Sequence, residues 1–229
     1  GQATEHGLNP ETYHYSLIKS EFYQLLIPDV DNNKRYFNLA NTELLIADAI
    51  LKYSSHMRHG VVNPRVIYPD SYFIPVKDSL NKQLFEPFKQ NDIIQYLYSI
   101  QPKSNKYKKL QTALKRFESL KDTEWTKIPI PNKKVEVGHS FEHLNLVASR
   151  IITLGFLDTN EVKIKDFTLY DSLLAEPIKK FQRANGFNGD GAIDKSTIER
   201  LNITPKEYVD KIKLTLERFR WIDYSDTAR

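Results

Sequence analysis

The sequence contains no cysteine. Disulfides, thiol nucleophiles and cysteine-based zinc sites are therefore excluded. No apolar run approaches the ~20 residues that a membrane-spanning helix needs. Internal repeats and low-complexity linkers are absent too. No charged block stands out: the net charge is only +4, and the basic residues are scattered. Their densest cluster, Lys103 to Arg116, has the spacing of a solvated helix face. A nucleic-acid role would join such residues to a reading motif, and none is present, so no nucleic-acid partner is expected. No signal peptide precedes Gln2, which suits a processed or truncated start as well as a cytosolic one.

What is present is an ordinary globular composition of 229 residues, 40% hydrophobic and 27% charged, enough for one or two domains with real cores. The most informative stretch runs from Leu173 to Asn202. Leu174, Ile178 and Phe181 fall on one helical face, with Lys179, Lys180 and Arg183 off it. Asn185-Gly186 is a helix stop, since glycine takes the left-handed conformation that such an end needs. Asn188-Gly189-Asp190-Gly191 is a tight turn. Asp194 is placed to cap a short helix. Thr204-Pro205-Lys206-Glu207 reads as a capping box that opens the last one.

Elsewhere the pattern is helical. Asn9-Pro10 opens a helix whose buried side is read as Tyr13, Leu17, Phe22, Leu25 and Leu26. Leu44, Ala47 and Leu51 repeat within Tyr36 to Arg58, Gly60 stops that helix, and Asn63-Pro64 predicts an extended segment. Shorter helices are predicted near Ser79 to Lys89 and Asp92 to Ile100. An amphipathic one spans Ser104 to Leu120, with Leu110, Leu114 and Phe117 inward. Trp125 to Val137 has few helix signals. Ser140 caps a helix to Leu154, and Val162 to Lys165 alternates weakly like a strand. In the last helix Tyr208, Ile212, Thr215, Phe219 and Ile222 keep helical spacing.

Helix, Asp-Gly turn, short helix and Leu-Asn, in that order, resemble the peptidoglycan-binding domain of the PG_binding_1 type. Ile178, Phe181-Gln182, Gly186-Phe187, Asp190-Gly191, Ile193, Thr197 and Leu201-Asn202 match its pattern in register. Glu5 to Pro10 with Tyr13, Leu44 to Ala49, and Arg58 to Arg65 look like the helical scaffold domain of large L,D-transpeptidases of the YkuD type. Leu214 to Trp221 looks like the Asn-Leu-Glu-Arg-Trp-Arg-Trp segment that leads into that family's catalytic domain, with Thr215 for Asn and Phe219 for the first Trp.

The resemblance implies a mainly α-helical fold in three parts: a scaffold domain over residues 1–135, a small three-helix peptidoglycan-binding-like domain over 136–203, and a C-terminal helix over 204–229 leading to a catalytic domain absent from this chain. Such enzymes cross-link peptidoglycan stem peptides through a cysteine thiolate beside a histidine. His6-Gly7 and His59-Gly60 are followed by Leu8 and Val61, and no cysteine exists. The expectation is thus a non-catalytic region of such an enzyme, in the periplasm or cell envelope, with peptidoglycan (glycan or stem peptide) as partner and no cofactor or metal. The alternative is a helical protein–protein interaction module that never touches murein.

Several residues carry two readings. Gln182, Arg183, Asn185, Asp190 and Lys195 are the polar groups nearest the turn and are the candidate ligand-binding residues. Equally, Gln182, Asp190 and Thr197 suffice to satisfy the turn's own backbone. The turn echoes a calcium loop but lacks carboxylates at its first and last positions, Gly186 and Thr197, so a turn with a cap is preferred. His56 with His59, and His139 with His143, have helix-face spacing without an evident third metal ligand. Asp48 is read as a structural acid with Arg58 and Arg65 as candidate partners. The aromatic residues Tyr68, Tyr72 and Phe73 either pack between helices or stack on sugar rings.

Overall fold

The computed structural model describes residues 2–27, 31–69, 85–158 and 167–221. The chain divides into two compact units, one made of Gly1–Ser119 with Val209–Arg229, the other of Leu120–Tyr208. The fold is mainly helical, and the described residues contain no strand, only an isolated bridge between Val135 and Ile193. Tyr72, Phe73, Ile222, Val162 to Lys165 and the start of the helix expected at Ser79 lie outside the described residues.

In the first unit, short 3-10 turns at Gln2–His6 and Pro10–Tyr13 precede α1 (Tyr15–Leu25), α2 (Asn32–His59) and α3 (Pro64–Ile67). A 3-10 turn at Glu86–Lys89, α4 (Ile93–Ser99) and α5 (Asn105–Leu120) follow. The Asn9 side chain accepts from the Glu11 N–H at 3.0 Å, and Pro10 sits where its missing N–H costs nothing. Asn63-Pro64 repeats this device rather than staying extended: Asn63 accepts from the Arg65 N–H, and Pro64 begins α3. An extended residue before proline is also what an N-cap requires, so one local signal serves both outcomes.

Two small cores hold the first unit. Leu8, Tyr13 and Met57 form one. Tyr107 and Leu114 of α5 form the other with Val209, Ile212 and Leu216. Those last three lie on α9 (Pro205–Trp221), whose buried stripe continues to Glu217, Arg220 and Trp221. The stripe expected through Tyr208, Thr215 and Phe219 is therefore offset by about one position. The offset has a cause: two of the buried side chains are charged and neutralise each other, so an apolar count misplaces the face.

α1 differs more. Leu17, Phe22 and Leu26 are about half exposed or more, and no α1 residue is buried, although α1 packs along α2. Periodicity tells which residues share a face and not whether anything covers it.

The second unit holds α6 (Leu144–Thr153), α7 (Ser172–Ala184) and α8 (Lys195–Leu201), with α6 packed on both of the others. Leu144, Ile151, Leu174, Ile178, Ile193, Ile198 and Leu201 are fully buried. Each such side chain contributes roughly 1.5–3 kcal/mol of burial. α6 begins at Leu144 rather than at Ser140, so His139 and His143 both precede it and share no helix face. The capping box forms as the sequence predicts. The Glu207 N–H donates to Thr204 Oγ1 at 3.2 Å, and the Thr204 N–H donates to Glu207 Oε2 at 2.8 Å. Ile128 and Val135 are buried, so the compact unit reaches N-terminal of residue 136.

Candidate functional site

The Asp-Gly turn of the second unit is organised by Gln182. α7 starts on Asp171, whose carboxylate accepts from the N–H groups of Leu173 and Leu174. From there the period of the helix carries Leu174, Ile178, Phe181 and Gln182 to the buried side. Gln182 is 3% exposed, so both halves of its amide need partners. Its Oε1 accepts from the Gly191 N–H at 2.8 Å. Its Nε2 donates to the Ala192 carbonyl at 2.8 Å and to Thr197 Oγ1 at 3.0 Å, and lies 3.3 Å from Asp190 Oδ1. Gly191 is left-handed (φ 80°), a conformation that calls for glycine, and the flexible Lys179 side chain lies against it. The Tyr170 hydroxyl donates to the Gly191 carbonyl from the other side, and burial pushes that phenol's pKa up, keeping it a donor.

Asp190 divides its carboxylate. Oδ1 accepts from the Ala192 N–H at 2.9 Å, and Oδ2 faces Lys134 Nζ at 3.0 Å. The Ala192 N–H first, then Lys134, holds the Asp190 carboxyl below the usual range. Asp194 caps α8 by accepting from the Thr197 N–H at 2.8 Å. Burial works against its ionised form, but the hydrogen bonds from Thr197 and Ser196 outweigh it. Asp190 and Asp194 thus each accept a backbone N–H of the turn or of α8.

The five candidate ligand-binding residues thus separate. Gln182 is spent inside the turn. Asn185 is partly so, because its Nδ2 donates to the Phe181 carbonyl at 2.8 Å. Arg183, Asp190 and Lys195 are exposed. Arg183 lies along Gly189, and Lys195 pairs loosely with Glu199 at 3.8 Å. Phe181 is buried, and Phe187 is half-buried beneath the Arg200 guanidinium, 5.7 Å from the ring centre.

Lys134 brings a second feature to the turn. It lines an open groove of about 470 Å³ formed by Pro129 to Val135 and His139 to His143. The groove's lining residues include Lys133 and Lys134, His139 and His143, Phe141 and the acidic Glu142. Asn202 pins Ile128, the residue just before the groove segment. Its Oδ1 accepts from the Ile128 N–H at 2.8 Å, and its Nδ2 donates to the Ile128 carbonyl at 2.9 Å. One side-chain amide thereby does the work of a neighbouring strand, which accounts for the asparagine of the Leu201-Asn202 pair. Arg150 adds a clamp: its guanidinium sits 3.4 Å from the Trp125 ring centre and donates to the Thr126 carbonyl at 2.7 Å. Burial lowers its pKa to about 10, which leaves it charged at neutral pH.

In the first unit the structure assembles a buried polar cluster that hydrophobic periodicity does not reveal. Glu217 Oε2 accepts from Arg220 at 2.6 Å. Its Oε1 accepts from the Trp221 indole at 2.9 Å and from the N–H groups of Val61 and Val62 at 2.6 and 3.0 Å. Arg220 also donates to the His6 carbonyl and to the Tyr107 hydroxyl. The chain's first turn, the loop after α2 and the last helix thus meet in one knot. Its charged members, Glu217 and Arg220, lie on the buried side of α9, where a count of apolar residues does not find them.

Asp48 also has other partners than expected. It pairs with Lys52 and His14, each at 2.6 Å, and not with Arg58 or Arg65; it is partly exposed. His56 Nδ1 meets the Tyr13 hydroxyl at 2.8 Å. Tyr68 packs its ring edge toward Trp221 and accepts from Arg218. Among the described residues no group of three or more His, Asp or Glu is arranged to hold a metal ion, and no helix is long and apolar enough to cross a membrane.

A search of curated proteins finds no match to this chain. Residues 1–114, the helical region that contains His6, α1, α2 and Tyr107, match the family model described as Scaffold domain, which supports a scaffold role for that part of the chain.

Proposed function

We propose that this chain is the scaffold and peptidoglycan-binding region of an L,D-transpeptidase of the YkuD type, acting in the periplasm or cell envelope beside a catalytic domain that this chain does not contain. The observation that carries the reading is the Gln182 network. Phe181-Gln182, Asp190-Gly191, Thr197 and Leu201-Asn202, the residues of the PG_binding_1 pattern, each serve the turn, the core or the clasp on Ile128. The Scaffold domain match over residues 1–114 supports the N-terminal half of the same reading. Without cysteine the chain supplies no thiolate for acyl transfer. Its contribution is to hold murein near an active site and so raise the effective concentration of stem peptides there. Arg183, Asp190, Lys195 and the groove beside Lys134 are the exposed polar groups available to hydroxyls, amides and carboxylates of that polymer.

Co-sedimentation of the full chain with insoluble peptidoglycan tests this. Saturable retention at moderate salt is the expected result. No retention favours the second reading, a helical interaction module, for which the exposed large apolar side chains of α1 and α2 are the specific observation.

A further inference from the structure

The first unit holds a cavity of its own. The 3-10 turns at Gln2–His6 and Pro10–Tyr13, together with α1, α2 and α4, line a space of about 420 Å³ that opens to solvent. Helical spacing decides which side chains meet there. Ile46, Ala49, Ile50 and Tyr53 recur every three or four residues on α2, and so do Ile94, Leu97 and Tyr98 on α4, with Gln101 just past its end. The inner wall is the core built on Leu8, Tyr13 and Met57: Tyr13 belongs to it, and Ala3, Ala49 and Tyr53 pack against it. Two of those four are alanines, where larger side chains would take up part of the space.

The lining carries no charged residue. Asp48 and Lys52, the charged neighbours on α2, pair with each other at 2.6 Å and do not line the cavity. Its polar groups are two amides and the phenols. Gln2 Nε2 donates to the Tyr98 hydroxyl at 2.9 Å, and Gln101 Nε2 donates to the Tyr53 hydroxyl at 3.2 Å. Each of these hydroxyls therefore accepts a bond, and among the described residues neither has an acceptor for its own hydrogen. The Tyr53 ring is set edge-on to Tyr13, with centroids 5.7 Å apart. Burial first of all pushes the Tyr53 phenol up to about 12, so it stays a donor at neutral pH.

This chemistry selects an occupant. A volume of about 420 Å³ falls within the roughly 300–1,000 Å³ of small-molecule pockets, which are likewise mostly apolar with a few placed polar groups. An anion would lose its hydration with no lining cation to replace it, and a sugar would strand its hydroxyls against Ile18, Ile50 and Leu97. An uncharged apolar body with an oxygen that accepts hydrogen bonds meets both the aliphatic wall and the two spare phenol hydrogens. We propose that this cavity is a binding site for a small uncharged molecule with an apolar body and a carbonyl oxygen, the body lying against α2 and α4 and the oxygen accepting from Tyr53 and Tyr98. The site does not rest on murein binding.

Titration of the full chain with the uncharged naphthalene ketone prodan, followed by its fluorescence, tests this. The emission should shift to the blue and saturate at a single probe per chain. The anionic probe anilinonaphthalene sulfonate should bind at least about tenfold more weakly, since its charge finds no partner in the lining. Ile94 is 69% exposed, so Ile94→Glu leaves the core alone and should weaken prodan by about tenfold, by setting a carboxylate at an apolar wall. Tyr53→Phe with Tyr98→Phe should move the bound emission further to the blue, because the ketone loses its donors. Amide shifts of the isotope-labelled, unsubstituted chain need no variant to fold: with prodan they should cluster at Ala3, Ala49, Tyr53 and Tyr98. Absence of saturable prodan binding overturns the proposal. So does sulfonate binding as tight as that of prodan, binding unchanged by Ile94→Glu, bound emission unchanged in the phenylalanine variant, or shifts that fall outside this cavity.

Discussion

Glu217 and Arg220 stand one helical turn apart on α9, with carboxylate and guanidinium at 2.6 Å, and Arg220 is only 2% exposed. Removing one member leaves the other charge buried without its partner, which costs about 3–5 kcal/mol. Arg220→Met is therefore expected to destabilise the chain by about that amount in urea unfolding. Glu217→Gln together with Arg220→Met should cost less than the sum of the single changes, because the double variant buries no lone charge. Additive effects would show that the pair does not act as a unit.

His6 gives the first unit a pH dependence. Its imidazole is lowered from 6.5 to about 4, by burial first and by the Arg220 charge second. Between those values the unfolded chain takes up a proton that the folded chain refuses. Stability is thus fully present above 6.5 and falls as pH drops toward 4, by on the order of 3 kcal/mol. Glu217 adds to the loss at lower pH. Burial alone would raise its carboxyl, but the Val62 N–H and Arg220 outweigh it and hold it below the usual range. Urea midpoints measured from neutral to mildly acidic pH should show the slope, and His6→Gln should flatten its upper part. An unchanged slope in that variant would assign the acid sensitivity elsewhere.

Gln182 is the amide on which the turn depends, with partners at Gly191, Ala192 and Thr197. Gln182→Leu strands the Gly191 N–H and the Ala192 carbonyl and should cost roughly 2–4 kcal/mol, read as a lowered melting temperature and faster hydrogen exchange at Gly191. Gln182→Glu is more diagnostic. An ionised carboxylate keeps the Gly191 bond but faces the Ala192 carbonyl and Asp190 without a proton to donate. Relative to the unsubstituted chain, that variant should recover stability on acidification, as the neutral acid regains a donor.

Much of the second unit was legible because its local chemistry agrees with its packing. Asp194, Asn185-Gly186 and the Thr204 to Glu207 box are self-contained signals whose partners lie within a few residues. Leu174, Ile178 and Phe181 sit on a helix with a real core beneath it. The remainder was hidden by distance along the chain. Nothing near Asn202 in sequence announces a bond to Ile128, nothing near Glu217 announces Val61 and Val62, and Lys134 reaches Asp190 across 56 residues. The α1 reading failed for another reason: Phe22 and Leu26 have the spacing of a buried stripe, yet the folded unit leaves them in water.

Asn202→Ala removes both bonds to Ile128 at once. The expected cost is about 1–3 kcal/mol, with loss of protection at the Ile128 amide while amides of α7 stay protected.

Titration of the isotope-labelled full chain with soluble peptidoglycan fragments, followed by amide chemical shifts, tests the central claim most directly. Saturable shifts clustered at Lys134, His139, Arg183, Asp190 and Lys195, and weakened by Lys134→Glu with Arg183→Glu, are the result that a murein-holding second unit predicts. An unperturbed spectrum at saturating fragment, or shifts confined to the α1 and α2 hairpin, would contradict it.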